Sequence, residues 1–113
     1  MRYSVDFLKT LKYKVKYNHW LPSLLRAYGT VVNNTIYYAL EEESVPDHIH
    51  IHELVHVAQY KRDGVVKFLI IYFTEYIQNY FIYKDWYQAY INIRYEKEAM
   101  EIEQYYREQY GEN

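Results

Sequence analysis

The chain has 113 residues, half of them hydrophobic, with 17 tyrosines, no cysteine and a formal net charge of −2. That length makes one domain with a modest core; zero cysteines exclude a disulfide framework and thiolate metal ligands, and the charge gives no reason to expect a nucleic-acid partner. Tyrosine supplies ring area while keeping a polar tip near water, so much of the hydrophobic count is expected to shield a small core.

Along residues 4–17, Val5, Leu8, Leu11 and Val15 follow a helical stripe, while Lys12 to Tyr17 alternate like a strand. The pattern predicts a helix that breaks into an extended piece whose lysines form a solvated edge. Pro22 and Gly29 punctuate the next segment, with a short helix expected at 22–28. Thr30 to Val32, Asn33-Asn34 and Thr35 to Leu40 then read as a β-hairpin. Residues 35–40 are the candidate edge strand, where an extended peptide would add through sequence-independent backbone hydrogen bonds. An acidic loop, Glu41 to Asp47, leads into His48-Ile49-His50-Ile51-His52. Once a helix begins near residue 49 these histidines no longer converge, so His48 and His50 read as residues of the helix start.

His52-Glu53-Leu54-Val55-His56 is an H-E-x-x-H pentad on a helix expected over about 48–62, closed by Asp63-Gly64. Residues four apart share a helix face, so His52 and His56 aim two imidazoles at one point. That point suits zinc, which takes neutral nitrogens at about 2.0–2.1 Å in a tetrahedral site with one position open. Glu53 is rotated by about 100° from His52, too far round to be a ligand with that pair but well placed to accept a proton from water there. The pentad should arise by chance in roughly 2 % of shuffled chains of this composition, and its aliphatic neighbours Ile51, Leu54, Val55, Val57 and Ala58 lower that risk further.

Beyond Gly64, helix-period apolar residues resume from Val65 to Tyr80 as a second helix, hydrophobic on most sides and expected to pack across the first. Its longest apolar stretch, Val65 to Phe73, is well short of the roughly 20 residues of a membrane span. Lys84-Asp85 breaks the pattern, and a glutamate-rich helix follows at about 95–109. With His56 the last histidine in the chain, the third metal ligand falls to a carboxylate. Glu96, Glu98, Glu101 and Glu103 all lie on that last helix, and spacing alone does not choose between Glu96 and Glu98.

The pair of segments His52-Glu53-Leu54-Val55-His56-Val57-Ala58-Gln59 and Arg94-Tyr95-Glu96-Lys97-Glu98-Ala99 resembles the gluzincin metallopeptidases, in particular their smallest, minigluzincin-like members. The resemblance covers about residues 35 to 103. It implies a single minigluzincin-like domain over 1–113, of α+β, mostly α class: a zincin-like metal helix, a short β-hairpin or small sheet, and a second glutamate-bearing helix. It also implies Glu96 as third zinc ligand beside His52 and His56, Glu53 as general base, and hydrolysis of peptide bonds in a peptide or protein substrate. The oxyanion formed in such a reaction needs a further donor, and Tyr38 and Tyr95 are the candidate substrate-binding residues by nearness in the chain. One departure stands out: where many gluzincins carry an acidic partner for a ligand histidine, four residues after the ligand glutamate, this chain has Met100.

Met100 and the small size together motivate an alternative, a catalytically inactive zinc-site protein serving as a structural or assembly component, for example of a phage particle. Lys9, Lys12, Lys14 and Lys16 interrupt any signal-peptide core, so the expected location is cytoplasmic, with virion association under the alternative.

Overall fold

A computed structural model describes residues 3–25 and 27–110. It is α+β and mostly α, 67 % helical with one small mixed sheet. The elements run α1 (Val5–Lys9), β1 (Lys14–Lys16), α2 (Trp20–Leu24), β2 (Gly29–Val32), β3 (Thr35–Tyr38), a 3-10 turn at Glu42–Ser44, α3 (Asp47–Asp63), α4 (Val65–Tyr83), α5 (Trp86–Ile91) and α6 (Arg94–Tyr110).

Local chemistry explains most boundaries. Ser4 caps α1 by accepting the Phe7 amide, and Asp85 caps α5 by accepting that of Gln88. Asn33, at φ 57°, turns the β2–β3 hairpin through the left-handed region that asparagine tolerates. Gly64, at φ 84° and ψ 159°, separates α3 from α4 in an extended positive-φ conformation that essentially only glycine adopts, as its position after Asp63 predicts. The short second helix starts earlier than expected, at Trp20, with the His19 side chain as its cap. Residue 26, within the short helix expected at 22–28, and Gly111, a glycine suited to end the last helix, lie outside the described residues.

The sheet order is β1-β3-β2, with β1 parallel and β2 antiparallel to β3. This corrects the expectation that residues 35–40 form an edge: β3 is the central strand, because residues 14–16 supply a partner on its far side. The edges are β1, whose Lys14 and Lys16 face solvent, and β2.

Helix α3 is the centre of the molecule, and every residue from Ile51 to Tyr60 is buried. Val5 and Leu8 of α1, Val31 and Ile36 of the sheet, and Ala99 and Ile102 of α6 close around it. Helix α4 does not behave as expected. It buries only Phe68, which stacks between Tyr60 and Tyr95 with ring centroids 3.8 and 4.3 Å away. Its opposite face carries exposed apolar residues, because α3 is already enclosed by α1, the sheet and α6 and offers α4 only a narrow contact. Tyrosine behaves as its two-part chemistry suggests. Tyr60 and Tyr95 give their rings to the core, while their hydroxyls donate to Val31 O (3.1 Å) and Asp63 Oδ2 (2.7 Å).

Candidate metal centre

His52 and His56 lie one turn apart on α3, and α6 presents Glu96 to them across the α3–α6 interface. The Glu96 Oε1 atom is 2.9 Å from His52 Nε2 and 3.1 Å from His56 Nε2. All three side chains are buried, none more than 7 % exposed. Their ligand atoms lie within 4.8 Å of one another, so the group could hold a metal ion.

The donor chemistry fits a cation. His52 Nδ1 is 2.8 Å from Glu103 Oε1, and His56 Nδ1 is 2.7 Å from Gln59 Oε1. A carboxylate oxygen only accepts, so His52 carries its proton on Nδ1. Gln59 donates its amide nitrogen to Tyr95 O (3.0 Å) and Glu98 Oε1 (2.8 Å), which turns its oxygen towards His56 and sets the same tautomer there. Both Nε2 lone pairs therefore face one carboxylate oxygen. Three electron-pair donors in contact need positive charge between them, from added protons or from a metal ion. The two separations are slightly under the roughly 3.3 Å edge of a tetrahedron with zinc-like bonds of about 2 Å.

Without a metal, protons fill that role. Burial pushes His52 down, but hydrogen bonds to the Glu103 and Glu96 carboxylates outweigh it and lift the group to about 10. His56 is likewise driven down by burial and raised on balance by Glu96. Glu96, against the effect of its own burial, is held well below the usual carboxylate range by the two histidines.

The other Glu96 oxygen is also engaged. Tyr72 of α4 donates its hydroxyl to Glu96 Oε2 at 2.7 Å, and burial together with this carboxylate raises the Tyr90 hydroxyl of α5 above its ordinary range. Glu98 is turned away, accepting from Gln59 and from Arg62 (3.4 Å). Of the two glutamates that spacing leaves open, Glu96 is therefore the one brought to both histidines.

Glu53 is buried behind the pentad, and burial raises its carboxyl above the usual range. It lies beneath the start of β2: a Cβ on Gly29 would stand 3.3 Å from Glu53 Cδ and 3.1 Å from the Tyr38 ring. Tyr38 thus lies near Glu53, although its hydroxyl is held by His50 Nδ1 at 2.7 Å. The Tyr95 hydroxyl points elsewhere, to Asp63. His50 also meets the Tyr13 hydroxyl through Nε2 (3.0 Å), while His48 Nε2 lies 3.7 Å from Glu103 Oε2. Neither histidine joins the metal group.

Sequence reasoning missed Gln59, Tyr72, Tyr90 and the role of Glu103. For two of them a signal existed. Glu103 is two turns from Glu96 on one helix face, and Gln59 follows His56 by three residues. No family model, curated protein or solved structure matches this chain, so what the site can do is argued from its own geometry.

Proposed function

We propose that the chain is a zinc-dependent metallopeptidase of gluzincin type, hydrolysing peptide bonds. One observation carries the reading: two imidazole nitrogens of an H-E-x-x-H pentad meet one glutamate oxygen, with the pentad's own glutamate buried alongside. Two nitrogens and one oxygen, with no sulfur, make the ligand set of catalytic zinc hydrolases, which leaves a fourth position for water. When bound, zinc supplies a Lewis acid that makes water acidic and polarises a carbonyl.

The protein's own groups would do the rest. Glu53, with its affinity for a proton raised by burial, takes the proton from the attacking water and returns it to the leaving amine. His52 and His56 are held in one tautomer by Glu103 and Gln59, and Tyr72 fixes the free oxygen of Glu96. The edge strand beside Glu53 is β2, so an extended peptide adds there rather than at residues 35–40. Tyr38 is fully buried with its hydroxyl held by His50, so it supports the strand from within and does not face the peptide. The Tyr95 hydroxyl, turned to Asp63, has no part in peptide binding.

The burial of all four site residues favours a second reading, a zinc site that stabilises the chain for assembly with other proteins without turnover. Metal content by elemental mass spectrometry and a peptide-library digest, run on wild type and Glu53→Gln, separate the two. The peptidase reading expects one zinc in both proteins and cleavage only by the wild type. Zinc in both with cleavage by neither gives the structural reading, and no zinc after reconstitution overturns both. Among the described residues no helix is long and apolar enough to cross a membrane.

A further inference from the structure

Helix α4 has two faces with different tasks. One holds the molecule together: Phe68 sits in the Tyr60–Tyr95 stack, Tyr72 donates to Glu96, Glu75 accepts from Arg94, and Asn79 donates to Ala89 O. The other carries Val66, Ile70, Phe73, Ile77 and Tyr80, exposed by 71, 62, 58, 55 and 47 %, with Phe81 beside them at 70 %. Their spacing of four, three, four and three residues is the period of a helix–helix seam.

We propose that this stripe is a self-complementary interface, on which a second copy of the chain packs its own α4 antiparallel about a two-fold axis near Phe73. The area suffices. With aromatic side chains offering on the order of 150–250 Å² each, the six residues expose roughly 700 Å², above the ~300–600 Å² of the largest patch on a typical monomer and near the ~800 Å² each partner gives to a standard interface.

The order of residues also suits a reversed copy. Outward from Phe73, Ile70 on one helix faces the neighbourhood of Ile77 on the other, and the small Val66 faces the large Tyr80. The stripe itself is uncharged, and antiparallel packing sends the two copies of Lys67 to opposite ends, whereas parallel packing would set them side by side.

A lipid surface is the competing occupant, and the helix lacks what that requires. A membrane-surface helix carries a polar face rich in lysine and arginine. Here the flank beside the stripe is Lys67, Thr74 and Gln78, and Glu75 offsets the single lysine within the helix.

Sedimentation velocity on the full chain over a micromolar dilution series tests the interface. The wild type is expected at twice the 14.0 kDa chain mass, and Phe73→Glu at the monomer mass with unchanged helical circular dichroism. The absence of native cysteine provides a second variant that keeps the face apolar: Phe73→Cys should be joined to itself by a short bis-maleimide, and Lys61→Cys, on exposed α3 surface, should not. A wild type that stays monomeric throughout overturns the proposal, as does a Phe73→Glu protein that still dimerises. If that monomeric wild type floats with phosphatidylglycerol vesicles, the face belongs to lipid instead.

Discussion

Glu103 Oε1 accepts a hydrogen bond from His52 Nδ1 at 2.8 Å, from a position two helical turns beyond the ligand-positioned Glu96. Seven residues on a helix return to nearly the same face, so Glu103 reaches the back of the ring whose front meets Glu96. Met100, four residues after Glu96, offers no acceptor, whereas Glu103, three residues further on, does. Glu103→Ala should lower zinc affinity about 10–100-fold, as loss of such partners commonly does, whereas Met100→Ala should leave it within about threefold. Competition against a chromophoric chelator measures both. Equal effects from the two substitutions would remove Glu103 from this role.

Tyr72 makes a similar claim on the other side of the group. Its hydroxyl meets Glu96 Oε2 at 2.7 Å while the ring lies against Phe68. Tyr72→Phe keeps the ring and deletes only the donor. A buried carboxylate oxygen that loses a donor costs about 1–3 kcal/mol. The expected result is a zinc affinity lowered about 5- to 150-fold and unchanged helical content. Thermal unfolding of the metal-free and metal-loaded variants separates loss of metal affinity from loss of fold stability.

The metal-free cluster is held by protons, which gives a signed pH dependence. His52 is raised from 6.5 to about 10, so the stability it adds is complete below pH 6.5 and is lost as pH rises through about 10. Glu96 acts at the acid end: its carboxyl is depressed, so its contribution is present above pH 4.5 and lost only as pH falls through the lowered value. Metal binding must displace the histidine protons, so affinity should climb across the same alkaline window. The melting temperature of chelator-treated protein should therefore fall between pH 6.5 and 10, while the increment added by zinc grows. Scanning calorimetry at stepped pH reads both; a zinc increment that shrinks towards pH 10 would contradict the assignment.

How much of this was legible depended on distance along the chain. The pentad, the Gly64 stop and the Asn33-Asn34 turn are local signals, each carried by a few adjacent residues with one physical meaning. Tyr72 and Tyr90 carry no such mark. They are two of 17 tyrosines, and only the folding of α4 and α5 over α6 selects them. The parallel pairing of β1 with β3 is non-local in the same way, which is why residues 35–40 looked like an edge. Helix α4 shows a further limit. Apolar residues on most sides reveal that two faces need cover, but not that the core covers only one.

Gly29 joins the sheet to the catalytic machinery proposed here. A Cβ at this position would stand 3.1 Å from two Tyr38 ring carbons and 3.3 Å from Glu53 Cδ, so both neighbours must give to admit it. The Tyr38 ring is fully buried and its hydroxyl is tied to His50, which leaves it little freedom. The ring can give by only a few tenths of an ångström, and the Glu53 carboxyl, at the end of a flexible side chain, should move further. Gly29→Ala should therefore cost about 1–3 kcal/mol of stability, in the range of overpacked sites, and turn the carboxylate away from where water is attacked. The three atoms nearest the added methyl belong to Tyr38 and Glu53, not to the metal group, so bound zinc should stay at the wild-type level while turnover falls about tenfold or more. Zinc stoichiometry and kcat measured on the same preparation check the two halves together. Lost zinc would mean that the strand supports the metal group itself, and unchanged kcat would mean that Glu53 works from another position.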